Sequence, residues 1–328
     1  MIAGNPQAGS FALLRMTSVL LCLLTGPLCP AFAAAESSEL APLAAKSLLL
    51  DVARAGSQLV AVGDRGHILL SADEGGTWRQ VMAPTRAMLT GVSFGDATHG
   101  WAVGHDGTIL ATADGGQTWQ LQDSGADLET VYLDTLFHDG SNGFTVGAYG
   151  KCLRTADAGK TWTAIKPSED EVHFNQISSG PDGTLYLTGE GGTLLSSSDQ
   201  GTTWRKLEVP YEGSLFGLLP LAARTLLVYG LRGHVFVSDD AGVTWALREI
   251  PVPVLIMAGV KLKTGPIVLA GLGGNFFISR DGGRTFLAWK PAAFTGGVAS
   301  LLETADGALL ATGEGGVVRL QLPEVTAP

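Results

Sequence analysis

Six aspartates stand in one repeated setting, Ser/Thr-x-Asp-x-Gly-x-Thr-Trp/Phe, at Asp73, Asp114, Asp157, Asp199, Asp240 and Asp281. A second set of reactive side chains lies between paired glycines of the form Gly-x-x-Gly: Arg65, His105, Asp106, Tyr149, Glu190, Arg232 and Glu314. Of the second set, Asp106 with Glu190 or Glu314 could act as paired acids on a glycosidic bond, which needs a separation of about 5 to 9.5 Å. Arg65, Arg232, Tyr149 and Glu190 are the residue types with which a sialidase-like site would grip and attack an acidic sugar. The histidines 67, 99, 105, 138, 173 and 234 are scattered without metal-ligand spacing, so no metal is expected.

The spacing that positions these residues decides between the readings. Seven Gly-x-x-Gly pairs begin at Gly63, Gly104, Gly147, Gly189, Gly230, Gly271 and Gly313, in steps of 41, 43, 42, 41, 41 and 42 residues. A repeat of roughly 40 to 45 residues marks a radial array of four-stranded sheets, and the chain reads as an all-β, seven-bladed propeller over residues 48–322. The second repeat shows the unit. Leu89 to Phe94 alternates as strand A, Gly100 to Gly104 returns as B, Thr108 to Thr112 forms C, and Thr118 to Leu121 starts D. By the same register the A strands start near Leu48, Leu89, Thr130, His173, Ser214, Val254 and Gly297.

An acid needed in six turns is turn chemistry: each aspartate can clip its own C–D hairpin as an Asx turn. The aromatic that follows, Trp78, Trp119, Trp162, Trp204, Trp245 or Phe286, then wedges between sheets. Blade seven lacks this motif, because the chain reaches Pro323 soon after Leu320. Its fourth strand is expected from residues 36–47, although Pro42 restricts that segment to an edge.

Alternating strands place the Asp motifs on one face of the disc and the B–C and D–A connections on the other. The residues held between the paired glycines vary from blade to blade, as a recognition surface requires. They are expected to line the mouth of the central channel, joined by an acidic rim at Lys166 to Glu171. The Gly-x-x-Gly turns join strands, with no helix start to hold a phosphate.

Residues 1–35 carry Arg15, an apolar run from Thr17 to Leu24 and the small-residue site Ala31-Phe32-Ala33, which reads as an export signal. Cleavage after Ala35 and a start at Met16 are alternatives. The run is too short and too interrupted by Gly26, Pro27 and Pro30 to span a membrane. Losing this segment removes one positive charge from the total of 21, so 20 basic residues face 31 acidic ones, a net of −11. Nucleic acid is excluded as a partner. Only Cys152 then remains, so no intramolecular disulfide forms. Residues 323–328 are a tail.

With the unit spelled out, residues 100–119, Gly-Trp-Ala-Val-Gly-His-Asp-Gly-Thr-Ile-Leu-Ala-Thr-Ala-Asp-Gly-Gly-Gln-Thr-Trp, resemble the repeat of the photosystem II stability and assembly factor family. The resemblance extends from about Leu48 to Leu322. It implies an exported, non-enzymatic seven-bladed propeller with Asp-box repeats and no cofactor. Such a protein, monomeric and periplasmic or in a thylakoid-lumen-like compartment, would bind a membrane protein or membrane complex during assembly. Photosynthetic members present a patch of arginines on one face, whereas only Arg65 and Arg232 are basic among the turn tips here. Relatives in bacteria without photosystems occur alongside membrane transporters, so the partner stays open between the two. The competing hydrolase reading lacks the Arg-Ile-Pro motif that precedes the first sialidase blade.

Overall fold

The computed structural model describes residues 36–323; the expected export signal and residues 324–328 lie outside them. Seven antiparallel sheets follow one another along the chain, six with four strands and the last with three. The seven A strands are Leu49–Ala55, Leu89–Phe94, Tyr132–Phe137, Phe174–Ser179, Leu215–Pro220, Ile256–Lys261 and Val298–Glu303, each within two residues of the start read from the sequence. The chain is therefore an all-β, seven-bladed propeller.

Strands B are buried along almost their whole length, for example Gly100–Gly104 and Leu226–Gly230, because sheets pack against both of their faces. The core is correspondingly divided between blades. Val60 and Leu70 of blade 1 pack with Val92, Leu110 and Trp119 of blade 2, and Leu227 and Tyr229 of blade 5 with Ile267, Leu269 and Phe286 of blade 6. The wedge aromatics fill these junctions, each burying on the order of 150–250 Å² when fully covered.

The two glycines of each Gly-x-x-Gly pair serve different purposes. A Cβ on Gly63 would collide with the Leu48 carbonyl, which accepts the Asp64 N–H at 3.0 Å; the first glycine is needed for close backbone approach. The second, as at Gly66 with φ 69°, supplies the left-handed conformation.

Every A strand also contains a β-bulge, which the sequence pattern did not disclose. The register slips between Leu49 and Asp51, Leu89 and Gly91, Tyr132 and Asp134, Phe174 and Gln176, Leu215 and Gly217, Ile256 and Ala258, and Val298 and Ser300. A bulge sharpens local twist and re-aims the following side chain, and here it sends Asp51, Asp134, Gln176 and Ser300 toward the next blade.

Residues 36–47 do not supply a closing strand for blade 7, contrary to the sequence expectation. Ala44–Lys46 form a 3-10 turn, and the segment is tied to blade 1 instead. The Ser38 N–H donates to the Ala83 carbonyl at 2.9 Å, the Ala83 N–H to Ser38 Oγ at 2.8 Å, and Gln80 Oε1 accepts the Ala41 N–H at 2.7 Å. Small residues and Pro42 favour this plug over a ladder. Ala41, Ala44 and Ala45 fill the junction among Trp78, Leu302 and Val317, closing the ring by packing.

Candidate partner-binding face and central channel

The Asp motifs consume both oxygens of each carboxylate. In blade 1, Asp73 Oδ1 accepts the Thr77 N–H at 2.8 Å and the Ser71 hydroxyl at 2.8 Å, while Oδ2 accepts the Thr77 hydroxyl at 2.7 Å. The Ser71 oxygen in turn accepts the Gly75 N–H at 2.8 Å. The same bonds recur at Asp114, Asp157, Asp199, Asp240 and Asp281. Bonds from the Thr77 N–H and hydroxyl hold Asp73 at about 2, and the Thr203 and Thr244 hydroxyls and N–H groups do the same for Asp199 and Asp240. A carboxylate so held donates no proton at neutral pH.

The opposite face carries the B–C turns. Hydrogen bonds from Gly107 N–H to the Thr130 carbonyl (2.8 Å) and from Gly150 N–H to the Val172 carbonyl (2.8 Å) pin these turns to the D–A loops of the same face. Arg65, Asp106, Tyr149, Arg232 and Glu314 are exposed there, and His105 and Glu190 half-buried. Arg65, Asp106, Tyr149 and Arg232 hold φ of 55°, 57°, 54° and 56°, where blades 4 and 6 place Gly191 and Gly273. Left-handed backbone costs a non-glycine residue roughly 1–2 kcal/mol. Glu74, Ala158, Gln200 and Ala241 do the same in the Asp motifs, so the conformation alone does not mark a binding residue.

Only part of the expected ring is brought together. The Tyr149 ring stands edge-on to His173 with centroids 4.7 Å apart, and His173 Nδ1 lies 3.7 Å from Glu190 Oε1. Beyond them Tyr211 stacks on His234 at 4.4 Å and donates its hydroxyl to the Leu231 carbonyl at 3.0 Å, beside Arg232. Blades 3 to 5 thus present a strip of aromatic, imidazole and charged groups. Arg65 reaches only its neighbour Asp64, at 3.6 Å. Glu190 and Glu314 are partly committed, accepting the His173 N–H at 3.2 Å and the Gly297 N–H at 2.8 Å.

Inside the channel the wall is made by strand A residues of every blade. Asp51, Arg54, Asp134, Gln176, Tyr229 and Ser300 are among those lining a space of about 450 Å³. Asp51 Oδ2 accepts the Val92 N–H of blade 2 at 2.9 Å, and Asp51 Oδ1 the Ser300 hydroxyl of blade 7 at 2.7 Å. Asp134 Oδ2 accepts the Ile177 N–H of blade 4 at 2.9 Å, and Gln176 Oε1 the Leu218 N–H of blade 5 at 2.9 Å. Burial pushes Asp51 up to about 6 against its hydrogen bonds. Burial together with the Asp51 charge pushes Asp134 up to about 8. Neither aspartate was singled out from the sequence. The signal was a lone acid at the same repeat position in two apolar A strands, Leu50-Asp51-Val52 and Leu133-Asp134-Thr135.

The geometry compares with known proteins as follows. A solved structure described as YCF48 bound to D1 peptide shares 20% identity and a TM-score of 0.70, over 89% of this chain and 96% of its own. YCF48 from Cyanidioschyzon merolae gives 17% and 0.70, over 86% and 98%. The WD40 propeller domain of Doa1 gives 14% and 0.64, over 83% and 92%, and at these identities the likeness concerns the fold. Among curated proteins none matches the chain. The family model of the photosynthesis system II assembly factor YCF48 matches residues 70–170 and 123–322, and the chain belongs to that family.

Proposed function

We propose that this protein is an exported, non-enzymatic scaffold that binds a segment of a membrane protein or membrane complex during assembly, using the B–C face. The observation that carries the reading is the strip from Tyr149 through His173 and Glu190 to Tyr211 and Arg232, an aromatic and charged surface with Tyr149 and Arg232 exposed and the others half-buried. Aromatic and arginine side chains are the usual anchors of protein recognition. The fold neighbour with a bound D1 peptide supports a membrane-protein segment as the type of partner. In a non-photosynthetic host the same surface would serve a transporter-associated complex. The protein acts as a monomer in a periplasmic or lumen-like compartment.

The double replacement of Arg65 and Arg232 by glutamate tests the face. Co-purification of the membrane partner is expected to vanish while thermal unfolding is unchanged; a retained partner would place recognition elsewhere. Chromogenic sialosides and glucosides are expected to remain uncleaved, since Glu190 and Glu314 accept backbone N–H groups and the Asp-motif carboxylates are tied up in their own turns.

A further inference from the structure

We infer that the outer edge of blade 7 is a second docking site, which takes an extended acidic segment of a partner polypeptide as the blade's fourth strand. Six blades end in a short strand D, whereas the blade 7 sheet stops at strand C, Gly316–Leu320. Among the described residues that strand is paired on one side only, with Leu309–Gly313. Among the described residues no backbone hydrogen bond reaches its other side. Residues 36–47 are hydrogen-bonded to blade 1 and cover only the start of the strand, where Ala45 and Lys46 pack on Gly316.

The consequence appears in the burial. In the complete blades strand C is buried throughout, as in Ile68–Ser71, Val235–Ser238 and Phe276–Ser279, or half-buried only at Ala111 or Arg154, the position of Arg319, whereas in blade 7 Val317 and Val318 are half-buried as well. Arg319 Nε has no hydrogen-bond partner although water is excluded from it. In blade 4 the Leu194 carbonyl at the start of strand C accepts the Leu207 N–H at 2.8 Å, and in blade 2 Ile109 accepts Gln122 at 2.8 Å. By its pairing with Thr312, Val317 stands where Ile109 stands opposite Val103, so its carbonyl is aimed at an unfilled partner. An open edge of this kind is a template for strand addition.

The six filled blades describe the occupant. All six D strands follow an aromatic, and in three of them an aliphatic stands three residues on, as in Trp78 and Val81, Trp162 and Ile165, and Trp204 and Leu207, where the others place Gln122, Arg248 and Trp289. The flank of the blade 7 edge is apolar as well. Trp289 of blade 6 packs against the same buried cluster as Val318 and Leu322, and Leu287, on the same side of its strand as Trp289, is 66% exposed. Charge selects further. Arg280, Arg284 and Lys290 are exposed on the blade 6 side, while Arg319 on the edge is paired with Asp306 and Asp281 is engaged by Thr285. This is a cationic rim on a chain of net charge −10, and it favours an acidic strand with an aromatic anchor. The inference is independent of the B–C face.

The test uses the full chain and a labelled synthetic peptide with the sequence of residues 73–83, Asp-Glu-Gly-Gly-Thr-Trp-Arg-Gln-Val-Met-Ala. Saturable binding by fluorescence anisotropy is expected, with slowed amide exchange confined to residues 317–320. Arg319→Pro, which removes the edge N–H, should weaken binding at least about tenfold; Arg319→Ala, which keeps it, should weaken binding only about threefold. Equal binding to the proline variant, or no change in exchange, overturns the proposal. So does slow exchange at 317–320 in the free protein, which would mean that the chain covers its own edge. A concentration-dependent dimer abolished by Arg319→Pro would assign the edge to a second copy and overturn it equally.

Discussion

Asp51 and Ser300, 249 residues apart, meet across the junction of the first and last blades, where the Ser300 hydroxyl donates to Asp51 Oδ1 at 2.7 Å. Asp51 also accepts the Val92 N–H of blade 2 at 2.9 Å, so one side chain joins three blades. Glu74 makes a parallel link on the Asp-motif face, pairing with Arg54 at 2.7 Å and accepting the Ala305 N–H at 2.7 Å. These bonds fasten the ring where residues 36–47 contribute packing but no ladder.

Removing Asp51 should therefore cost more than removing its partner. Asp51→Ala leaves the Val92 N–H and the Ser300 hydroxyl without an acceptor, for an expected loss of about 1–3 kcal/mol, against about 0.5–1.5 kcal/mol for Ser300→Ala. Urea unfolding of the two variants and the double variant measures this. Equal losses would mean that the channel-side bonds do not hold the ring.

Asp199→Ala separates scaffold from recognition. It deletes the acceptor of the Thr203 N–H and of the Thr203 and Ser197 hydroxyls. The melting temperature should fall by a few degrees, while partner capture by the opposite face is retained. A variant that folds at the wild-type temperature but loses the partner would give the Asp-motif face a recognition role.

Much of this architecture is written in the sequence. Glycine spacing counts the blades, and alternation such as Leu89 to Phe94 locates strands because burial differs on their two faces. The bulges are not legible, since Leu50 or Leu133 becomes the extra residue only through the register of the neighbouring strand. Consequently nothing in the sequence ties Asp51 to Ser300 or Asp134 to the Ile177 N–H. The contact of Tyr149 with His173 and Glu190 was hidden for a related reason: it joins a turn of blade 3 to the strand start and turn of blade 4, a juxtaposition set by blade-to-blade stagger. Residues 36–47 were misread because an edge strand and a packed plug share the same small-residue composition.

Tyr149→Gly tests recognition without disturbing the turn. Tyr149 has φ 54° and is 69% exposed. Relief of left-handed strain, roughly 1–2 kcal/mol, outweighs or balances the added chain entropy of glycine, about 0.5–1 kcal/mol. Stability is expected to hold or rise slightly while partner affinity falls. Calorimetry with partner capture reads both, and undiminished capture would remove Tyr149 from the binding strip.

The channel carboxyls predict an inverted pH dependence. Asp51 at about 6 and Asp134 at about 8 stand above the ordinary value of 3.8, which the unfolded chain adopts. The folded state therefore binds protons that the unfolded state has released. Their contribution to stability is fully present below about 3.8 and is lost as pH rises, through about 6 for Asp51 and about 8 for Asp134, with a slope approaching about 1.4 kcal/mol per pH unit for each group. Arg54, the cation lining the channel, is paired with Glu74, and Tyr229 is shifted upward by burial and stays neutral in this range. Burial lowers His67 and His138, so these oppose the trend near their ordinary value of 6.5 and leave the Asp134 limb to be read above about pH 7. Urea midpoints should decline from about pH 7 to 8.5 in the wild type and flatten in Asp134→Asn, whose amide cannot ionise. A wild-type midpoint that is constant or rises over that interval would show that Asp134 is already ionised in the folded channel.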